Sequence, residues 1–253
     1  MGRVTSRYET NVFIAEYDID MYGNLRMSGL LRHMQEVGSL HLESFGFSYE
    51  TIAAQGCVYL MVNMRAALYR PIKSHETIRF LTWVPKSVGI RTYRNFKLCD
   101  TDGKVVGEAS TVWVLANVAT HKITTLAESP IKLVFDENEK LGIPDAKKVK
   151  MPKNMPETST RKIRYSDLDV NAHVNNSIYA DIFCDESDID FSKYWINDLS
   201  INYRKEALFG DNLSITSRTD IIDGVQNVYM VGLVDSVSSF EVLARLSEFP
   251  SDE

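Results

Sequence analysis

The sequence predicts an α+β protein made of two like units. Three observations carry that prediction. A stretch near the N-terminus has helical periodicity, runs of β-forming residues closed by tight-turn dipeptides follow it, and the same order restarts after a segment rich in proline and lysine.

Ser28 is placed to cap a first helix, in which Leu30, Leu31, Met34, Val37 and Leu40 recur at helical spacing. Gly46 is a natural stop, and a short second helix is expected over 48–55. Val58–Tyr69, Thr77–Val84 and Arg91–Cys99 read as strands. Asp102-Gly103 is a hairpin signal leading into Val105–Leu115. Residues 130–160 read as a linker. They hold four of the seven prolines (Pro130, Pro144, Pro152, Pro156) and a lysine cluster, Lys147, Lys148, Lys150 and Lys153.

The pattern then restarts. Arg161–Tyr165 is a short strand, 166–176 is rich in turn residues, and 177–184 is helical. Trp195–Arg204, Leu213–Ile222, Val225–Val234 and Phe240–Phe249 are strands, with a hairpin signal at Asp223-Gly224. The expected domains are therefore 1–129 and 161–253. Asp20–Met27 lines up with Asp167–Val174, and Tyr69-Arg70 with Tyr203-Arg204. In that register Tyr22 and Arg26 stand where the second half has Asp169 and His173, so one site per chain is expected.

Composition excludes several functions. The chain has 253 residues and a net charge of −6, which disfavours a nucleic-acid binder. No apolar run approaches the ~18 residues of a membrane-spanning helix. The N-terminus has no apolar core of the kind a secretion signal needs, and Gly2 with Ser6 fits a myristoylation pattern only loosely. Cys57, Cys99 and Cys184 form neither a metal spacing nor a disulfide framework, so a reduced, cytoplasmic protein is expected. There is no phosphate loop, metal-ligand set or nucleophile elbow, and no cofactor or metal is expected.

The main chemical signal is Asp167, Asp169, Asn171, His173, Asn175 and Asn176, all just ahead of an apolar helix. Singly, each reads as a turn or cap residue. Together they suit catalysis. Backbone N–H groups at a helix start can hold a carbonyl oxygen that gains charge, and a histidine beside carboxylates can activate water. Glu206, on chemistry alone, reads as an exposed turn residue. His33, His41, His75 and His121 lack nearby partners in sequence and read as surface or packing residues.

The segment Asp167–Asn176, followed by Tyr179, closely resembles the catalytic segment of the acyl-acyl carrier protein (acyl-ACP) thioesterases of plants and bacteria. Thr82-Trp83-Val84, Arg91, Arg94 and Ser110–Val114 resemble strand motifs of that family's first half. Glu9–Met34 resembles its N-terminal segment, and Tyr203–Glu206 its second-half strand motif. The resemblance covers nearly the whole chain in order.

It implies two fused hotdog domains, each an antiparallel sheet wrapped around a long helix. It also implies hydrolysis of fatty acyl-ACP thioesters to free fatty acid, ending chain elongation. The catalytic residues it implies are Asp169, Asn171, His173 and Glu206, with Asp167 as a reserve base. Plant members carry a cysteine after that glutamate. Ala207 stands there in this chain, so a cysteine nucleophile at that position is excluded. The absence of a plastid transit region points to a bacterial-type cytoplasmic member.

Met34, Met61 and Met64 are expected to line an acyl slot in the first half, with Asn175 and Asn176 as further substrate contacts. Lys147, Lys148, Arg161, Lys162 and Arg164 are expected to dock the acidic carrier protein. A hotdog acyl-CoA thioesterase and a non-catalytic acyl-binding module are the rival readings. A hotdog hydratase fits less well, because its Asp-to-His spacing is usually one residue longer. Chain-length preference stays open, as does the choice between monomer and homodimer.

Overall fold

The structure, a computed structural model, describes residues 6–120, 122–129 and 133–249; Gly2, His121 and Pro130 lie outside them. The first half runs β1 (Arg7–Phe13), α1 (Met27–Ser44), α2 (Tyr49–Ala54), β2 (Cys57–Leu68), β3 (Thr77–Val88), β4 (Arg91–Cys99), β5 (Val105–Asn117) and a two-residue β6 (Ile123–Thr124). The second half runs β7 (Glu157–Lys162), α3 (Ile178–Asp185), β8 (Tyr194–Tyr203), β9 (Asn212–Ile222), β10 (Val225–Val234) and β11 (Val237–Glu248).

All the pairings are antiparallel, and the main path of the sheet reads β1-β3-β4-β5-β2-β8-β11-β10-β9-β7. Each first-half strand on that path has its counterpart at the mirrored place in the second half. β2 and β8 meet at the centre, from Asn63↔Asn202 to Ala67↔Asp198. Side chains lock that seam. Asn63 Nδ2 donates to Asn202 Oδ1 at 2.8 Å, and Arg65 and Arg245 both bridge to Asp198.

The helices cover the inner face. α1 buries Met27, Leu30, Leu31, Met34 and Val37 against Met64, Ala66, Ile78, Phe80, Phe96 and Leu98. Removing such side chains from water is the main term that holds helix and sheet together. This is the arrangement of two fused hotdog units. α1 starts at Met27, so Ser28 sits buried inside it rather than at its cap. Gly46, at φ +86°, ends it as expected. α3, the counterpart of α1 in the second half, is short, with 8 residues. Asp185-Glu186-Ser187-Asp188 offers no apolar stripe that would extend it.

One buried cation breaks the apolar pattern. Arg94 lies under Gly38 of α1 and donates to His41 Nδ1 at 2.9 Å and Thr82 Oγ1 at 3.2 Å. Burial lowers its pKa to about 10.

The described part of the middle segment carries neither helix nor strand from 133 to 156, and β7 takes in residues 157–160 of the expected linker. This segment straps the outer face of the sheet. Asp136 pairs with Arg7, Glu139 with Lys97 and Asp145 with Lys86. Glu108 Oε2 accepts from the Gly142 N–H at 2.8 Å, and Asn202 Oδ1 from the Val149 N–H at 3.0 Å.

Candidate active site

The site is set by the way the chain leaves β7. Ile163 pairs with the turn ahead of β9, its N–H donating to Asp211 O at 2.8 Å and its carbonyl accepting from the Gly210 N–H at 3.1 Å. A single 3-10 turn over Tyr165–Asp167 follows. The Asp167 side chain is buried and accepts from the Arg164 N–H at 2.8 Å and from Arg161 at 3.0 and 3.3 Å. Its carbonyl takes the Asn175 N–H at 2.9 Å. Asp167 is thus the clamp at the base of the loop. Its carboxylate oxygens are taken up by Arg161 and the Arg164 N–H.

Above the clamp, Asp169 N–H donates to His173 O at 2.9 Å, and Asp169 Oδ1 accepts the Asn171 N–H at 2.8 Å. Ala172, at φ +59°, reverses the chain. The Val174 N–H then donates to Ala207 O at 3.1 Å. That bond pins the loop to the turn after β8. It brings His173 Nε2 to 3.7 Å from Glu206 Oε2, with the two side chains 35% and 57% exposed. This separation is too long for a direct hydrogen bond. It suits two groups that work on one water molecule.

Tyr179 lies beneath. Its ring packs on Phe240 at 4.8 Å, and its hydroxyl lies 3.3 Å from Ser239 Oγ. Burial raises its pKa, and the nearby charges of Glu206 and Asp169 add to the rise. On the other side of the loop, Tyr49 of α2 donates its hydroxyl hydrogen to Asn171 Oδ1. Sequence reasoning missed Tyr49, which lies 122 residues from its partner.

The structure therefore brings Asp169, Asn171, His173 and Glu206 into one loop-and-turn cluster. It gives other expected residues different surroundings. Arg161 is spent on Asp167, while Lys147, Lys148, Lys162 and Arg164 are exposed. Asn175 Oδ1 accepts the Ser177 N–H at 2.9 Å, and the Asn176 carbonyl accepts from Tyr203 Oη at 3.1 Å. The N–H groups of Asn175, Ser177 and Ile178 are all bonded within the loop, so the donors expected at the start of α3 are largely spent. Met34 and Met61 line a cavity of about 10 Å³ with Leu31, Gln35, Phe96, Thr111 and Trp113. Met64 is fully buried and does not line it. Burial pushes the Cys184 thiol up to about 12. Three of those histidines do have partners: His33 meets Asp18 at 3.0 Å, His75 meets Glu16 at 3.5 Å, and His41 accepts from Arg94.

The repeat is real, but its register differs by two residues from the one expected. Asp20 Oδ1 accepts the Tyr22 N–H at 2.9 Å, as Asp169 Oδ1 accepts that of Asn171. Leu25 N–H donates to Ile72 O at 2.8 Å, as Val174 N–H does to Ala207 O. Asp20, Tyr22 and Asn24 thus correspond to Asp169, Asn171 and His173, and Pro71 corresponds to Glu206. The first half kept the aspartate and lost the histidine and the glutamate. Lys73 Nζ there donates to Asn24 Oδ1 at 2.6 Å.

Two family models match the chain. The acyl-ACP thioesterase N-terminal domain covers residues 5–133, and the acyl-ACP thioesterase C-terminal domain covers 150–245. Among curated proteins, a chloroplastic palmitoyl-acyl carrier protein thioesterase of Gossypium hirsutum is 24% identical over 89% of this chain and 58% of its own length. A chloroplastic oleoyl-acyl carrier protein thioesterase of Arabidopsis thaliana is 23% identical over 95% and 72%. Among solved structures, an acyl-ACP thioesterase from Bacteroides thetaiotaomicron superposes with a TM-score of 0.85 at 24% identity, covering 96% of this chain and 98% of that one. A 12:0-ACP thioesterase from Umbellularia californica gives 0.77 at 17%, covering 97% and 95%. These likenesses establish the fold.

Proposed function

We propose, since the chain belongs to the acyl-ACP thioesterase family, that it hydrolyses fatty acyl-ACP thioesters to free fatty acid and carrier protein. The observation that carries this reading is the approach of His173 to Glu206 on two converging turns. A water held between them loses a proton to this pair as its oxygen attacks the thioester carbonyl. The tetrahedral intermediate then collapses, the carbon–sulfur bond breaks, and the proton passes to the departing sulfur. Asn171 donates to the carbonyl oxygen as charge gathers there. Asp169 keeps the loop in shape through its bond to the Asn171 N–H. The step needs no thiol, in keeping with Ala207 after Glu206 and with the raised Cys184.

The reading places the acyl chain in the first half and the chemistry in the second. Lys162 and Arg164 beside the loop, with Lys147 and Lys148 on the strap, supply the basic surface for an acidic carrier; Arg161 drops out of that set. Three free cysteines support a reducing, cytoplasmic setting. Among the described residues no helix is long and apolar enough to cross a membrane.

The test is thiol release from one acyl chain presented on carrier protein and on coenzyme A. Faster turnover on the carrier is expected, with a KM that rises with salt and on charge reversal at Lys162 and Arg164. Equal turnover on both carriers selects the acyl-CoA reading. Tight binding without release selects an acyl-binding module.

A further inference from the structure

We propose that Tyr49 is a positioning residue that fixes which end of the Asn171 amide faces the reacting carbonyl; the proposal rests on the hydrolase reading above. The symmetry of the fold singles this residue out. Every strand on the main path of the sheet has a counterpart in the other half, and so does α1. α2 has none, because the chain between α3 and β8 carries no helix. The unmatched helix places Tyr49 against the loop that holds His173 and faces Glu206. Ser48 caps it, accepting the Thr51 N–H at 3.3 Å, and Tyr49 is its first residue.

A carboxamide has an acceptor end and a donor end. The Tyr49 hydroxyl donates to Oδ1, which leaves the two N–H bonds of Asn171 Nδ2 to point elsewhere. Three backbone donors at the start of α3 are already bonded within the loop, which makes the amide a donor available to a developing oxyanion. The opposite orientation would aim Oδ1 at that oxygen and repel it. The backbone of Asn171 is held separately by Asp169. Tyr49 therefore acts on the side chain of Asn171 rather than on the loop. Its ring is half exposed, so its hydroxyl contributes little to folding.

The experiment is a double-mutant cycle with Tyr49→Phe and Asn171→Ala on carrier-bound acyl substrate. Tyr49→Phe should lower kcat by about ten-fold, the value of one well-aligned hydrogen bond, and leave KM within about two-fold. In the Asn171→Ala background it should cost nothing more. Additive losses would overturn the proposal, as would a loss confined to KM. A second reading is independent of turnover. The Asn171 side-chain amide resonance, assigned by its loss in Asn171→Ala, should shift and broaden in Tyr49→Phe as the amide gains freedom to flip. An unmoved resonance would overturn the proposal even in a chain that hydrolyses nothing.

Discussion

His173 and Glu206 lie 33 positions apart in sequence and 3.7 Å apart in space, because one backbone bond, Val174 N–H to Ala207 O, ties their segments together. In the proposed reaction they are partners in moving one proton. Loss of a positioned acid or base costs about 10²- to 10⁴-fold. His173→Ala and Glu206→Gln should each lower kcat by that much and leave the thermal midpoint near that of the parent, since both side chains are partly exposed. A variant that keeps near-full kcat removes that residue from the proton path. Cys184 offers the contrast. Burial holds its thiol up at about 12, so it carries no thiolate at neutral pH, and Cys184→Ser should stay active. The same shift bears on stability. The unfolded thiol ionises near 8.5, about the usual value, while the folded one stays protonated up to about 12. The unfolded state therefore gains from rising pH first. The folded protein should lose stability between about pH 9 and pH 12, and Cys184→Ser should remove that part of the slope in denaturant midpoints.

At the scale of elements, the turn that carries Asn171 and His173 depends on Ala172 at φ +59°, where its first-half counterpart is Gly23 at φ +78°. Left-handed backbone costs an L-residue about 1–2 kcal/mol, and more when the side chain is β-branched. Ala172→Gly should fold at least as well as the parent, whereas Ala172→Val should distort the turn, move His173 and lower kcat. Equal kcat in the two variants would show that the turn tolerates other shapes. Much of this scale was legible in sequence. β4 and β10 begin and end where the β-rich runs do, and Asp223-Gly224 turns with both φ values positive, at 52° and 78°. β1 was missed because Arg7–Phe13 is a largely polar edge strand, held by its pairing with β3 and by the packing of Tyr8 and Val12 on the core. The start of α1 was misread because Ser28 looks like a cap, and burial overrode that preference. The repeat slipped by two residues because each half carries Asp-x-Asp, at Asp18/Asp20 and Asp167/Asp169, and either aspartate can be aligned with the other pair. Asn171 and His173 stood out in sequence, but nothing local signals that Glu206 or Tyr49 reaches them. Long-range backbone pairing brings Glu206 there, and a single helical turn brings Tyr49.

At the scale of the whole molecule, a palindromic sheet would allow two equal sites, yet the two halves have diverged. The second half keeps histidine and glutamate over a short helix. The first has Asn24 and Pro71 at those places and buries its sheet beneath an 18-residue helix. That division leaves the first half free to read the acyl chain. Its candidate slot, between α1 and the sheet, is nearly closed at about 10 Å³, no more than one water could fill. An acyl chain enters only if the lining yields, and Met34 and Met61 are the flexible members of that lining. Met61→Ala should open the slot, at a stability cost of about 2–5 kcal/mol. Ala66, in the same core on β2, is where added volume narrows the space under α1, so Ala66→Phe should favour shorter chains. Ala67 is the weaker position, since it lies outside that core and pairs with Asp198 across the seam. One methylene is worth about 0.8 kcal/mol on burial, so a two-carbon step should change relative kcat/KM by roughly ten-fold. Competition among carrier thioesters of increasing length reads that change directly. The two variants should move the profile in opposite directions. A profile unchanged in both, with folding intact, would mean that chain length is measured in the second half, close to the catalytic loop.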